Sequence, residues 1–257
     1  MEQLTFWACV KNAWSSAWQA VTTMPWLVLG SWIVLTCTSL LGHPAVDAET
    51  GAQAHAGQAL MSLVWLILHA VVSAMLSVKV HRFILLGEAT NPLVPSGGRP
   101  LFRFLVVSFG AALGLLVFFG LGQIAAHTFK LGVFILLPLQ LIYLFVLIRL
   151  SLLYPSVALG AQLTLGSAWR DSRGHFWRFF GVGFCSCLPL FLLTGVGIWL
   201  AARSNTLLLQ QGTGNVVVAM SWALLQTLLS LLTAASLAWL YRRCANELLT
   251  HVPGTPQ

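Results

Sequence analysis

The sequence predicts an all-α fold: a polytopic membrane helix bundle of six transmembrane helices and two interfacial amphipathic helices, with both termini cytoplasmic. Three observations predict it. Hydrophobic residues make up 58% of the 257 positions and charged residues only 7%, with a mean hydropathy of +0.86, whereas soluble domains carry about 25% charge. Six apolar runs approach the roughly 20 residues a helix needs to cross about 30 Å of hydrocarbon, where no water satisfies an irregular backbone. Lysine and arginine cluster on one side of that pattern.

Ahead of the first span, LTFWACVKNAWSSAWQAV places Trp7, Val10, Trp14, Ala17, Trp18 and Val21 at spacings of three and four, with Lys11, Asn12, Ser15, Ser16 and Gln19 largely between them. This predicts an amphipathic helix over 3–22 with its tryptophans at headgroup depth; packing on the bundle without lipid contact is the alternative. The first span is expected at 25–41, capped by Thr23, with Pro25 in its first turn. The second is expected at 59–85 and the third at 101–124, where GAALG presents Gly110 and Gly114 as a face for close helix approach. The fourth, 132–154, and the fifth, 176–202, carry Pro138 and Pro189, each expected to kink its helix. The sixth covers 216–241. Between the fourth and fifth, 156–173 is expected to form the second interfacial helix, ended by Gly174.

Positive flanks are held on the cytoplasmic side. A cytoplasmic N-terminus puts Lys11, Lys79, Arg82, Arg99, Arg103, Arg149, Arg170, Arg173, Arg178, Arg242 and Arg243 inside or at the inner boundary, leaving only Lys130 and Arg203 outside. The first outer loop instead holds Asp47 and Glu49. The opening MEQL has no basic run before an early apolar stretch, so no cleavable signal peptide is expected. Cys9, Cys37, Cys185, Cys187 and Cys244 form no CxxC pair and are expected as free thiols.

In LGSAWRDSRGHFWRFFGVGF, four charges, a histidine and two tryptophans stand between long apolar runs. At a cytoplasmic boundary Arg170, Arg173 and Arg178 reach lipid phosphates while Trp169 and Trp177 sit at headgroup depth. Arg149, deeper, either binds a phosphate headgroup, pairs with Glu88 or Asp171, or snorkels. The formal charge of +7 comes from these inner flanks and points to anionic lipid rather than nucleic acid.

Arg149, Pro155, Ala168-Trp169, Ser172, Gly174 and Phe176-Trp177-Arg178 resemble the pattern of the membrane domain associated with glycerophosphodiester phosphodiesterases, and of related uncharacterised bacterial inner-membrane proteins. The resemblance implies fold and location, a bacterial cytoplasmic membrane. In the enzymes of that family a separate catalytic barrel follows the membrane domain, so no catalytic residue carries over to this chain.

His69 lies mid-way along the second span, where an ionisable group is a functional candidate by default. An interhelical hydrogen bond and a proton or substrate role are both open. Haem would need a second histidine at matching depth, and His43, His55, His127 and His81 all fall nearer the boundaries. Lys79, at the inner boundary, is expected to snorkel. Four residues of the first outer loop, His43, Asp47, Glu49 and His55, match no compact metal motif. GxSxG, HExxH and paired membrane carboxylates are absent, and no cofactor is expected. NAWSSAWQAVTTMPWLVLGSW and GSAWRDSRGHFWRFFGVGF both place a tryptophan-bearing segment before a span, the signature of a parallel repeat or of convergent interfaces. The expectation is a non-enzymatic membrane protein acting through anionic lipids, a protein partner or a second copy of itself. Small-solute or lipid transport is the alternative, disfavoured by the lack of a visible polar cluster at mid-membrane, and a membrane enzyme or haem protein comes third.

Overall fold

The computed structural model describes residues 6–41, 52–87, 98–128, 132–161, 164–203 and 212–245. Among them the chain is helical, with no strand, in the order α1 (Phe6–Thr23), α2 (Pro25–Leu41), α3 (Ala52–Leu86), α4 (Arg99–Thr128), α5 (Gly132–Leu150), α6 (Leu153–Ala158), α7 (Leu165–Asp171), α8 (Phe176–Arg203) and α9 (Gly212–Cys244). Four segments are long and apolar enough to cross a membrane: Leu60–Leu86, Arg99–Ile124, Phe176–Gly197 and Val216–Cys244. The pair α1 and α2 makes a fifth if counted as one broken span, and α5 contributes a shorter apolar stretch, Leu137–Leu150.

Between α1 and α2 the axis turns by 92°. Proline disfavours helical backbone in the residue before it, so Met24 is the break. Its carbonyl accepts from the Leu27 and Val28 amides at 3.1 and 3.2 Å. Thr23 therefore closes α1 rather than capping α2. Along α1 the buried residues are Cys9, Val10, Ala13, Ser16, Ala17 and Ala20. Trp7 and Trp18 point away, 71% and 70% exposed. Val10 and Ala17 thus leave the face they were expected to share with the tryptophans: a stripe of small residues packs on α8 and α9, and the indoles turn outward. Trp239 Nε1 donates to Ser16 Oγ at 3.0 Å and ties α9 to this stripe.

The last helix organises the bundle, touching α1, α2, α3, α6 and α8. Ala223, Ala234, Ala235 and Ala238 are buried along it. Lipid tails are as apolar as leucine, so close approach through small side chains, with its gain in dispersion contacts, replaces the hydrophobic effect as the packing force.

Helices α4 and α5 pair at one glycine of the expected two. A Cβ on Gly114 would lie 3.1 Å from Tyr143 Cε2, whereas one on Gly110 would meet nothing within 4 Å. Tyr143 also donates its hydroxyl proton to the Ala111 carbonyl, fixing the ring that fills this notch. Gly114→Ala is expected to cost about 1–2 kcal/mol through overpacking, and Gly110→Ala to be neutral or mildly stabilising, as read from thermal unfolding in detergent. Equal effects at both positions would refute the notch. Helices α5 and α8 continue through Pro138 and Pro189.

The stretch expected as one interfacial helix over 156–173 is two short helices. α5 ends at Leu150, before the proline, and α6 begins at Leu153 with Pro155 in its first turn. Gly160, at φ +87°, turns the chain out of α6, and Arg103 Nη1 closes that helix end by donating to the Gly160 and Ala161 carbonyls at 3.4 and 3.0 Å. Leu153, Pro155, Ser156, Val157 and Ala158 are buried, so α6 is a core element packed on α3, α4 and α9. Tyr154 stacks edge-on against Phe104 with centroids 5.2 Å apart. Burial raises its pKa and a hydrogen bond with Ser108 offsets part of that.

Lys79 does not snorkel. It is 3% exposed, and His81 is 1% exposed, because α3 is enclosed by α4, α6 and α9 at this level.

Candidate functional site

The α5–α7–α8 corner gathers most of the residues that the sequence singled out. Gly174, at φ +80°, ends the α7 segment as expected. The amides of Ser172 and Arg173 reach back to the Ala168 and Arg170 carbonyls at 3.1 and 3.0 Å, and α8 starts two residues later. Burial alternates sharply here: Ala168, Asp171 and Ser172 face in, while Trp169, Arg170, Arg173, Trp177 and Arg178 face out.

Arg149 is the pin of this corner. Its Nη2 donates to the Trp169 carbonyl at 2.7 Å and its Nε to Ser172 Oγ at 3.2 Å. The guanidinium carbon lies 4.0 Å from the Trp169 ring centroid and 5.7 Å from that of Phe145. The geometry gives Arg149 a role that was not among those read from the sequence, phosphate binding, pairing with Glu88 or Asp171, or snorkelling: through Trp169 and Ser172 it holds α7 against α5. A guanidinium offers five N–H donors, so these two bonds leave others for an incoming oxygen.

Asp171 is the only acid among the described residues, and it is buried. The exposed charge of this corner is therefore wholly positive. An aromatic ladder backs it, with Phe176, Phe180 and Phe184 stacked one turn apart on α8 at 6.3 and 5.8 Å and Trp177, 78% exposed, set across Phe176. Beside that ladder runs an apolar groove of about 330 Å³ between α5, α8 and α9, lined by Leu144, Ile148, Phe180, Phe184, Phe191 and Leu237 among others. Ile148, in the groove wall, is Arg149's neighbour in the chain.

His69 lies elsewhere. With Thr38, Ser39, Ser62, Trp65, Trp222 and Gln226 it lines a cavity of about 740 Å³ between α2, α3 and α9. His69 Nδ1 is 3.5 Å from Thr38 Oγ1. The sequence reading missed this convergence of polar side chains, since Thr38 is one of several hydroxyls in LTCTSLL and Gln226 one amide in a largely apolar helix, and only the packing of three helices brings them together. Of the other residues weighed for binding, His43, Asp47, Glu49 and Glu88 lie outside the described residues.

The two tryptophan-bearing segments differ in build: α1 has 18 residues and α7 has 7. Only the order, a tryptophan-bearing helix followed by an apolar one, is shared. No known family model, curated protein or solved structure matches this chain.

Proposed function

We propose that the chain is an integral protein of a bacterial inner membrane, with six spans and both termini cytoplasmic, that acts without catalysis by holding anionic lipid at the α5–α7–α8 corner. The spans are α2, α3, α4, α5, α8 and α9. At about 1.5 Å per residue, the 17 residues of α2 and the 19 of α5 reach the lower end of what a bilayer of about 30 Å accepts. An even number of spans puts both ends, and eleven of the thirteen lysines and arginines, on or near the inner side. The 92° turn lays α1 along the interface with its indoles toward lipid. The resemblance to the membrane domain of glycerophosphodiester phosphodiesterases adds to this reading of fold and location.

One observation carries the lipid assignment. Three exposed arginines and two exposed indoles gather where α7 ends and α8 begins, an apolar groove of about 330 Å³ runs along the following turns of α8, and no exposed acid among the described residues competes. A lipid phosphate then meets Arg170, Arg173 or Arg178 at the rim while a chain lies against Phe180 and Phe184. The same rim serves a protein partner with an acidic edge, or a second copy of the chain, less well, because the groove behind it is apolar.

Native mass spectrometry from phosphatidylglycerol nanodiscs is the test. Wild type is expected to retain phosphatidylglycerol over phosphatidylcholine. Arg170, Arg173 and Arg178 changed together to Gln should lose most of that preference, at about 1 kcal/mol per basic residue near the surface. Equal retention by both proteins reduces the arginines to helix anchors. A second reading, passage of a small solute, is favoured by the polar cavity at His69.

A further inference from the structure

The cavity between α2, α3 and α9 has a chemistry of its own. On α3, Ser62, Trp65, Leu66 and His69 fall at three- and four-residue spacings, which a helix places on one face. Trp222 and Gln226 do the same on α9, and Thr38 and Ser39 close the third side near the end of α2. At about 740 Å³ it has the size of a small-molecule site, typically about 300–1,000 Å³.

Proton bookkeeping fixes what it offers. The Thr38 hydroxyl donates to the Leu35 carbonyl at 2.9 Å, so toward His69 its oxygen accepts. His69 Nδ1 must then carry the proton, which leaves Nε2 as an acceptor in the neutral ring. Gln226 Oε1 is buried with no donor. His69 Nε2 and Gln226 Oε1 thus offer acceptors, while the Trp65 and Trp222 indole N–H groups and the Ser62 hydroxyl offer donors, so the matching occupant both donates and accepts, as hydroxyl groups do.

It must also be neutral. Among the described residues its lining contains no Asp, Glu, Lys or Arg, so an ion entering between these apolar helices would go unpaired there, which is strongly disfavoured. Two indoles, Trp65 and Trp222, complete the wall, and their electron-rich faces attract the polarised C–H edges of a ring or chain bearing hydroxyls. We infer that this cavity binds a neutral polyhydroxylated solute, a polyol or monosaccharide, whose hydroxyls donate to His69 Nε2 and Gln226 Oε1 while its C–H face lies on Trp65 or Trp222.

The assignment is independent of lipid binding at the arginine rim, and the experiment keeps the two apart. Saturation-transfer NMR on protein in nanodiscs, with D-sorbitol and D-glucose as probes, is expected to show saturable binding. Gluconate and protonated glucosamine, of similar size but charged, should bind at least about tenfold more weakly to the same wild-type protein, a comparison that needs no variant to fold. Gln226→Leu and His69→Phe, each checked for an unchanged melting temperature, should weaken sorbitol about tenfold, the cost of one buried acceptor lost. The Arg170, Arg173 and Arg178 to Gln variant should bind sorbitol as wild type does. Failure of the neutral probes to saturate overturns the inference, as does equal binding of the charged analogues. A phospholipid that Gln226→Leu releases and sorbitol does not displace also overturns it, assigning the cavity to lipid.

Discussion

Arg149→Ala is expected to lower the stability of the protein by about 2–4 kcal/mol, a sum of lost charge-assisted hydrogen bonds and a lost cation–π contact. Its guanidinium is what joins α7 to α5: the Trp169 carbonyl, Ser172 Oγ and the Trp169 ring all converge on it. With 7 residues, α7 is too short to hold itself together. Removing the guanidinium leaves the Trp169 carbonyl without its donor and lets the segment lift. Arg149→Lys keeps the charge but cannot make the Nε bond or the planar stack, so it should fall between alanine and wild type. Trypsin reads the effect locally, since Arg170 and Arg173 are exposed and cleavage requires the segment to open. The alanine variant should be cut there at least about tenfold faster, in line with the shifted opening equilibrium. Unchanged cleavage with an unchanged melting temperature would sink this role. A large loss of stability with lipid preference intact separates the pin from the rim: it makes Arg149 structural and leaves lipid recognition to Arg170, Arg173 and Arg178.

The parts of this architecture that were legible in the sequence are those that depend on length and on local backbone rules. Long apolar runs mark helices because backbone polar groups have no other partner in hydrocarbon, and α3, α4, α8 and α9 fall where those runs are. Pro25 and Gly174 mark breaks for reasons internal to a few residues. What was not legible is which face of each helix turns inward. In water a core face is more apolar than its opposite, and periodicity reveals it. Next to lipid both faces are apolar, so the core of α1 is distinguished by small size, Ala13, Ala17 and Ala20, rather than by hydrophobicity, and Val10 and Ala17, grouped by spacing with the tryptophans, turn inward while Trp7 and Trp18 point out. The same blindness hid the burial of α6, whose sequence LYPSVA reads as a boundary segment. Gly160 and the Arg103 bonds that end α6 depend on a contact 57 residues away. At the candidate sites, the arginine rim was visible because charge is rare in this chain. The His69 cavity was not, because its members come from three helices, of which α9 is separated from α2 and α3 by five other helices of the chain.

If small size is the packing code, enlarging one small residue in the central helix should do more damage than removing a large one from its lipid-facing side. Ala235→Leu is the sharpest case. Ala235 is fully buried on α9 in a cluster with Ala13 and Ala17 of α1, Cys187 and Leu190 of α8, and Leu232 one turn back. Three extra carbons have no space there, and overpacking of a tight core costs about 1–3 kcal/mol. The strain falls on α1, whose Ala13 and Ala17 meet Ala235 in this cluster, so tryptic cleavage after the exposed Lys11 should accelerate along with the fall in melting temperature. Leu224→Ala on the same helix, where the side chain is 44% exposed, should change stability by less than about 0.5 kcal/mol, as lipid-facing substitutions without a packing partner do. A swap supplies the stricter test. Leu232→Ala alone should cost about 2–5 kcal/mol through the cavity it leaves. Combined with Ala235→Leu it restores the side-chain volume of the cluster, so the double variant should be more stable than the sum of the two single effects predicts. Strict additivity would mean that the two positions do not share one packed volume, and that α9 holds α1 by the Trp239 to Ser16 hydrogen bond rather than by the fit of its alanines.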